Sequence, residues 1–466
     1  MSRLAFHRPA RFLPPRLPDE KVVLPTPPEA QGGSGASQWM NMLLPLLSSV
    51  AMAGYMITFG RPLLIVVGIV FVLVSVGTTI TMRVQMRSAN RRAGKRQRAR
   101  YHNHLAAVRD QARGVATAQR MYVALAHPEP ARLWGILTTY ERVWERRQSD
   151  PDFLRIRVGV GQAHLSTPMQ IGTRLDPMTE YDWDSLQAAQ RLVDRMGRVE
   201  GQPSVVDVGG SGVVSVLGPR ERAEAVVRAL LCQVAVLHAP EDVGIAVETS
   251  GGDWDWAKWL PHTIEPEAPS DAGVVPLVAA SPEDLADYLE RELARRQEQA
   301  AARRSQIGFD RSAAPAQKRL IVLFTGFEPV SEWGRSPLLR ALLEGAGPQL
   351  GITLVFLAER EVDEPSRVDL RIRLTDDNHL EVTGRPALVA ASAEAAVPDV
   401  VSPTLAELIA RRLAPLRLSD ERDQVLNRIV SLTEMLLGGD PAEADITGRW
   451  AGATGERLLR VPIGSD

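Results

Sequence analysis

The chain has 466 residues, and its 54 Lys and Arg nearly balance its 56 Asp and Glu, giving a formal charge of −2. So even a balance excludes a chain that is basic throughout, and 45% hydrophobic residues exclude wholesale disorder. The single cysteine, Cys232, excludes an internal disulfide framework and fits a reducing compartment; set in an apolar run, it reads as a buried thiol rather than a nucleophile.

Residues 1–38 are rich in Pro, Arg and Gly, with Pro25-Thr26-Pro27-Pro28 and Gly32-Gly33-Ser34-Gly35, and predict a mobile cytoplasmic tail. Two uncharged apolar runs follow, residues 39–59 and 62–80, their cores separated only by Gly60-Arg61-Pro62. A helix of about 20 residues rises about 30 Å, the thickness of a bilayer's hydrocarbon core. Residues 39–82 therefore predict a transmembrane hairpin. Arg3, Arg8, Arg11, Arg16 and Lys21 precede it, and Arg83, Arg87, Arg91, Arg92, Lys95, Arg96, Arg98 and Arg100 follow with no acid among them. Basic residues near a span stay in the cytoplasm, so both termini are expected there and the protein in the cytoplasmic membrane. The basic stretch can also contact anionic lipid, at roughly 1 kcal/mol per residue.

Residues 83–149 predict a helical stalk. Leu105, Val108, Ala112, Val115, Gln119 and Tyr122 repeat at three- and four-residue spacing; Pro128 and Pro130 break the helix; Leu133, Ile136, Leu137, Tyr140, Val143 and Trp144 form a second stripe. The pair reads as an antiparallel helical hairpin, either holding a domain away from the bilayer or packed on that domain as a support. His102 and His104 lie in the basic helix with no third ligand near and read as solvated.

From residue 150 strand-like and helical segments alternate. Strands are expected at 154–160, 205–208, 213–217, 244–248, 274–278, 320–325, 353–357 and 370–374, and helices at 221–238, 283–297 and 336–343. The alternation predicts an α/β domain over 150–418 with a mainly parallel sheet. Residues 404–413 and 420–437 predict helices, with 419–466 a helical segment and linker. The strand–turn–helix at 213–238 has the order of a P-loop nucleotidase core without its chemistry. A phosphate loop needs G-x-x-x-x-G-K-[ST], whereas the turn here is Leu217-Gly218-Pro219-Arg220-Glu221, with no Lys and with a proline lacking its N–H. The strand at 320–325 ends in Thr325-Gly326 rather than in an acid for Mg²⁺. A nucleotidase-like fold without catalysis is the expectation, with no catalytic, cofactor-binding or metal residue. Gly159-Val160-Gly161 loosely matches a dinucleotide fingerprint and reads as a strand-end turn.

The segment Asp253-Trp254-Asp255-Trp256-Ala257-Lys258-Trp259-Leu260-Pro261-His262 places three Trp within six residues. It reads either as a loop packed on the sheet edge or as a docking surface carried by Trp254, Trp256, Lys258, Trp259 and His262. Its W-x-W-x-K-W-L-P-H pattern resembles that of EccC, the membrane ATPase of actinobacterial type VII secretion systems, a translocase of the FtsK/SpoIIIE class. The N-terminal hairpin, Phe153-Leu154-Arg155-Ile156-Arg157-Val158-Gly159, Gln233-Val234-Ala235-Val236-Leu237-His238-Ala239-Pro240-Glu241-Asp242, Ala410-Arg411-Arg412-Leu413-Ala414-Pro415-Leu416-Arg417, Leu436-Leu437-Gly438-Gly439-Asp440-Pro441 and Leu459-Arg460-Val461-Pro462-Ile463-Gly464 are also similar to that family.

The resemblance implies a membrane complex that exports small helical WxG-type substrates, with EccB-, EccD- and EccE-like partners. In the family the first Walker A loop follows the Val-Pro-Ile-Gly segment, and ATP and Mg²⁺ belong to the ATPase domains beyond it. Here the chain stops at Asp466, so no catalytic residue carries over and no cofactor is expected. The expectation is a membrane-anchoring and assembly module, with no enzyme activity of its own and no nucleic-acid partner. The alternatives are a nucleotide-binding subunit active only with a separate ATPase chain, and the anchor of a FtsK-like DNA translocase.

Overall fold

The computed structural model describes residues 4–18, 21–30, 47–52, 54–55, 58, 62–172, 176, 178–249, 253–264, 276–305 and 317–418. The expected helix at 420–437, the linker and most of the first apolar run lie outside them. In chain order the main elements are β1 (Leu4–Phe6), β2 (Val22–Leu24), α1 (Pro62–Ala126), α2 (Pro130–Thr139), β3 (Arg155–His164), β4 (Met169–Ile171), α3 (Trp183–Met196), β5 (Arg198–Asp207), β6 (Val213–Leu217), α4 (Arg220–Leu237), β7 (Val243–Glu248), β8 (Val278–Ala279), α5 (Glu283–Ser305), β9 (Arg319–Phe324), α6 (Pro337–Gly345), β10 (Ile352–Ala358), β11 (Leu370–Leu374), β12 (Leu380–Gly384), β13 (Val389–Ala391), β14 (Glu394–Pro398), α7 (Pro403–Leu413) and β15 (Leu416–Leu418). They fall into two compact units, Met1–Arg8 with Pro415–Asp466, and Pro9–Ala414. In the smaller, β1 pairs parallel with β15.

The larger unit is built on an eleven-stranded sheet in the order β13-β5-β3-β14-β12-β11-β6-β10-β9-β7-β8. From β11 to β8 every pairing is parallel, as the alternation of strands and helices led one to expect. From β13 to β11 every pairing is antiparallel, an extension beyond that half. The strands β6, β7 and β10 are buried along their whole length, as parallel strands covered on both faces must be. One face carries α5 and α6, whose Leu285, Leu289, Leu293, Leu339, Leu342 and Leu343 close over Phe324 and Phe356. The other carries α4, buried continuously from Val226 to Leu237. A helix apolar all round must be covered all round, and α2, α7 and the tryptophan segment form that outer cover.

The helix α1 runs unbroken for 65 residues from the second apolar run through the basic stretch to the α/β unit. At about 1.5 Å per residue it is a rod of roughly 100 Å. It is long and apolar enough at its start to cross a membrane. Residues 47–52 of the first run are helical and Ser49 Oγ donates to Ser75 Oγ on α1 at 2.8 Å, a contact between the described parts of the two runs.

The stalk expectation holds for the first stripe and changes in meaning. Leu105, Val108, Ala112, Val115 and Gln119 are buried, with Tyr101 a turn earlier, but against α3, β2, β4 and Leu165 rather than against a second long helix. The second helix ends at Thr139, where Tyr140 takes a left-handed conformation (φ 60°), so it is one short helix and not the return arm of a hairpin. The tail is also corrected: Val22 and Leu24 are buried, β2 pairs with β4, and Arg11 bonds Asp152. Arg11, β2 and Glu29, which bridges to Tyr181, thus strap this part of the chain to the unit. Gly159 and Gly161 lie within β3, not at a turn; a Cβ would stand 2.7 Å from the Val397 carbonyl oxygen at Gly159 and 2.3 Å from that of Glu394 at Gly161. The glycines admit the backbone of β14.

Candidate functional site

In parallel α/β sheets ligands bind beyond the carboxyl ends of the strands. Here the ends of β6, β9 and β10 open into a cleft of 650 Å³ lined by Arg220, Thr325, Phe327, Val330, Arg360 and Val362 among others. The β6–α4 turn that would hold phosphates is short and closed. Gly218 sits at φ +151°, and a Cβ there would lie 2.8 Å from Leu374 Cβ. Pro219 leads directly into the helix. Arg220 Nε donates to Glu224 Oε1 at 3.1 Å, and its Nη2 reaches the Thr325 carbonyl at 3.5 Å, so the side chain lies across the two strand ends. At the end of β7, the Glu248 carboxylate accepts the Thr325 amide at 2.8 Å and the Gly326 amide at 3.1 Å. The acid nearest the end of β9 in space thus serves the backbone of the following turn. On the outer wall, Arg360 and Asp363 pair bidentately at 2.9 Å. Arginine and carboxylate bonds, rather than a run of free amides, dominate this cleft. Among the described residues no group of His, Cys, Asp and Glu is placed to hold a metal ion.

The tryptophan segment is interior. Trp254, Trp256 and His262 are buried, while Lys258 is exposed and pairs with Asp255 at 2.6 Å. Arg228, itself buried on α4, stands 5.9 Å from the Trp254 ring centroid and donates to the Val401 carbonyl at 3.0 Å, tying the segment to α4 and to the approach to α7. Trp259 is partly exposed, with the Arg411 guanidinium 4.5 Å above its ring. A docking role for Trp254, Trp256 and His262 is therefore corrected to an internal one; Lys258 and the Trp259–Arg411 stack are the members that meet solvent.

Behind the tryptophans lies a buried histidine relay. His238 Nε2 accepts the Leu154 amide at 3.0 Å, so Nδ1 carries the proton and donates to the Val234 carbonyl at 3.1 Å. The His262 Nε2 donates to the His238 carbonyl at 2.8 Å. Burial, and next the charge of Arg146, holds His238 well below the usual histidine range, and the same causes take His127 to about 3. Burial pushes the Cys232 thiol up to about 12, so it stays protonated. Burial thus favours the neutral form of all three groups.

Of the basic residues flanking the apolar run, Arg87, Arg91, Arg92, Lys95 and Arg96 are exposed and Arg83 is partly so. They do not converge with the tryptophan segment. Arg91 and Lys95 line a groove of 230 Å³ with Pro28, Glu29 and Asp182, closed below by the Arg98–Asp182 pair. The strap, the α3 capping residue Asp182 and strand β14 beside Gly161 were not legible in sequence.

No protein-family model matches the chain. It is similar to the ESX secretion system protein EccC of Thermomonospora curvata, 28% identical over all of this chain and 34% of that protein. It is similar also to the ESX-3 secretion system protein EccC3 of Mycobacterium tuberculosis H37Rv, 26% identical over all of this chain and 34% of that protein, and to the ESX secretion system protein YukB of Bacillus subtilis, 21% identical over 96% and 29%. The chain spans about a third of the length of these relatives. Among solved structures, the cytoplasmic domain of the Thermomonospora curvata type VII secretion ATPase EccC overlaps 67% of this chain and 36% of that one at 14% identity, with a TM-score of 0.36.

Proposed function

The chain belongs to the EccC family of type VII secretion proteins, and from that premise we propose that it is a membrane-anchoring and assembly module of a secretion translocase. The observation that carries the reading is the continuity of α1, one helix from an apolar run of membrane-spanning length to the packed base of the α/β unit. In this reading residues 39–59 and 62–80 form a two-span hairpin in the cytoplasmic membrane, with both termini inside. The Ser49–Ser75 bond supports side-by-side runs, and inter-helical hydroxyl bonds of this kind occur between membrane helices. The partners are EccB-, EccD- and EccE-like membrane components and ATPase domains, with WxG-type substrates met only through those domains.

The α/β unit serves as a rigid spacer and does not hydrolyse ATP by itself. The closed Gly218-Pro219 turn and the commitment of Arg220 and Glu248 to protein partners support this. ATP and Mg²⁺ belong, in this reading, to the ATPase domains.

Two measurements test it. Cysteines placed at Ser37, Arg61 and Ser88 in intact cells should label from outside only at position 61; outside labelling at 88 overturns the topology. Purified chain should show no ATP turnover, and turnover that Arg220→Ala abolishes overturns the non-catalytic assignment.

A further inference from the structure

From Arg83 to Arg109 the chain contains no acid, and eight of the eighteen residues 83–100 are Arg or Lys. Two spans need far fewer cations for orientation. All lie on α1, so their geometry is that of a single helix. Arg83, Arg87, Arg91 and Lys95 recur every fourth residue and so form one stripe, while Arg92, Arg96 and Arg100 form another on a different face. Among the described residues Arg87, Arg91, Arg92, Lys95 and Arg96 make no ion pair, whereas the next cation down, Arg98, is held by Asp182. Arg87, Arg92 and Arg96 thus stand exposed above Arg98 with no carboxylate paired to them among the described residues, while Arg91 and Lys95 share a groove with Glu29 and Asp182.

Direction matters as much as charge. Side chains on an α-helix lean toward its N-terminus, and the N-terminal part of α1 is the apolar run. Every cation on the stripe therefore leans back toward that run. At about 1.5 Å per residue, Arg87 stands about 10 Å and Arg91 about 16 Å beyond Ile80 along the helix, before the backward reach of the side chain. A headgroup layer is about 5–8 Å thick and screening at physiological salt extends about 8 Å further. Arg83 and Arg87 reach the phosphate layer, Arg91 and Arg92 lie within its field, and Arg96 and Arg100 lie outside it.

We infer that the first three turns of α1 beyond the apolar run are a lipid-selective collar, which gathers anionic phospholipid through Arg83, Arg87 and Arg91. The inference rests on the membrane reading above and adds to it a ligand class and an order of importance along the helix. Lipid association then falls about fivefold for each charge removed within the headgroup zone, following the ~1 kcal/mol of each surface cation.

The test uses the full chain in phosphatidylcholine vesicles containing a minority of phosphatidylglycerol. Flotation with pure phosphatidylcholine vesicles first checks the anchor itself, and failure to float overturns both readings. In reconstituted chain carrying a dye at Ser88→Cys, energy transfer to acyl-labelled phosphatidylglycerol should exceed that to acyl-labelled phosphatidylcholine and should weaken with salt. Arg87→Gln with Arg91→Gln should cut the preference about 25-fold, about five for each charge, and Arg96→Gln with Arg100→Gln should preserve most of it. A chain that floats but shows no preference, or loses it equally in both double variants, overturns the collar while leaving the anchor standing. Salt-sensitive binding of duplex DNA that the Arg96–Arg100 variant abolishes would assign the charge to nucleic acid and also overturn it.

Discussion

Gln233 on α4 treats Arg157 on β3 as a neighbouring strand would: its Oε1 accepts the Arg157 amide at 3.2 Å and its Nε2 returns a bond to the Arg157 carbonyl at 2.8 Å. Both residues are buried or nearly so, and the Arg157 side chain goes on to pair bidentately with Asp399 at 2.7 and 3.1 Å. One glutamine thereby links the covering helix, the antiparallel extension and the approach to α7.

That linkage predicts the cost of removing it. Gln233→Ala leaves a buried amide and a buried carbonyl without their side-chain partner, a loss of about 2–4 kcal/mol. Chemical denaturation should show the midpoint falling with an unchanged slope. Gln233→Glu keeps the acceptor and loses the donor, and should lie between the two.

The turn after β6 predicts a second effect. Gly218 at φ +151° is in a region that side chains avoid, and a Cβ would meet Leu374 on β11. Gly218→Ala should cost about 1–3 kcal/mol. Thermal denaturation reads it; a neutral outcome would mean that the turn relaxes and that the closed strand end is not locked by this contact.

These two positions show what was legible in the residues and what was not. The parallel strands β6 and β11 appear in sequence with their observed bounds because each is a short apolar or alternating run between turns. The short turn at Gly218-Pro219-Arg220 between strand and helix was equally readable. In the antiparallel half, parts of β3 and β5 were readable as strands over 154–160 and 205–208, but β12, β13 and β14 were not. Strand β12 is mostly exposed and β14 reads Glu-Ala-Ala-Val-Pro, with no β-branched pattern until it is seated against Gly159 and Gly161. Strand β2 is three residues inside a proline-rich stretch, and only its pairing with β4 makes it a strand. Tertiary contact supplies what propensity lacks. The tryptophan segment kept two readings open because Trp serves cores and interfaces alike; only the position of Arg228 and α7 separates them.

Acid sensitivity follows from the buried histidines. His127 drops to about 3 and His238 lies well below 6.5, so both stay neutral when folded, while the unfolded chain takes up protons below about 6.5. The unfolded state then binds more protons, and stability falls as pH falls, by up to about 1.4 kcal/mol per unit for each group. It is fully present above pH ~6.5. Denaturant midpoints at pH 7.5, 6 and 5 should decline; the double variant His127→Gln and His238→Gln should flatten that decline, whatever it costs at neutral pH.

The tryptophan segment offers a contrast between neighbours. Trp254 is fully buried beside Arg228, so Trp254→Ala opens a cavity and should cost about 3–5 kcal/mol. Lys258, four residues further on, is exposed and paired with exposed Asp255, an interaction worth about 0–1 kcal/mol. Lys258→Ala should leave thermal stability within about 0.5 kcal/mol of wild type. If Lys258→Ala and Trp259→Ala, both stably folded, also co-purify normally with EccD-like membrane protein, the segment is structural throughout. Loss of co-purification in either, with stability retained, would place a contact at the Trp259–Arg411 stack, the part of the motif that meets solvent.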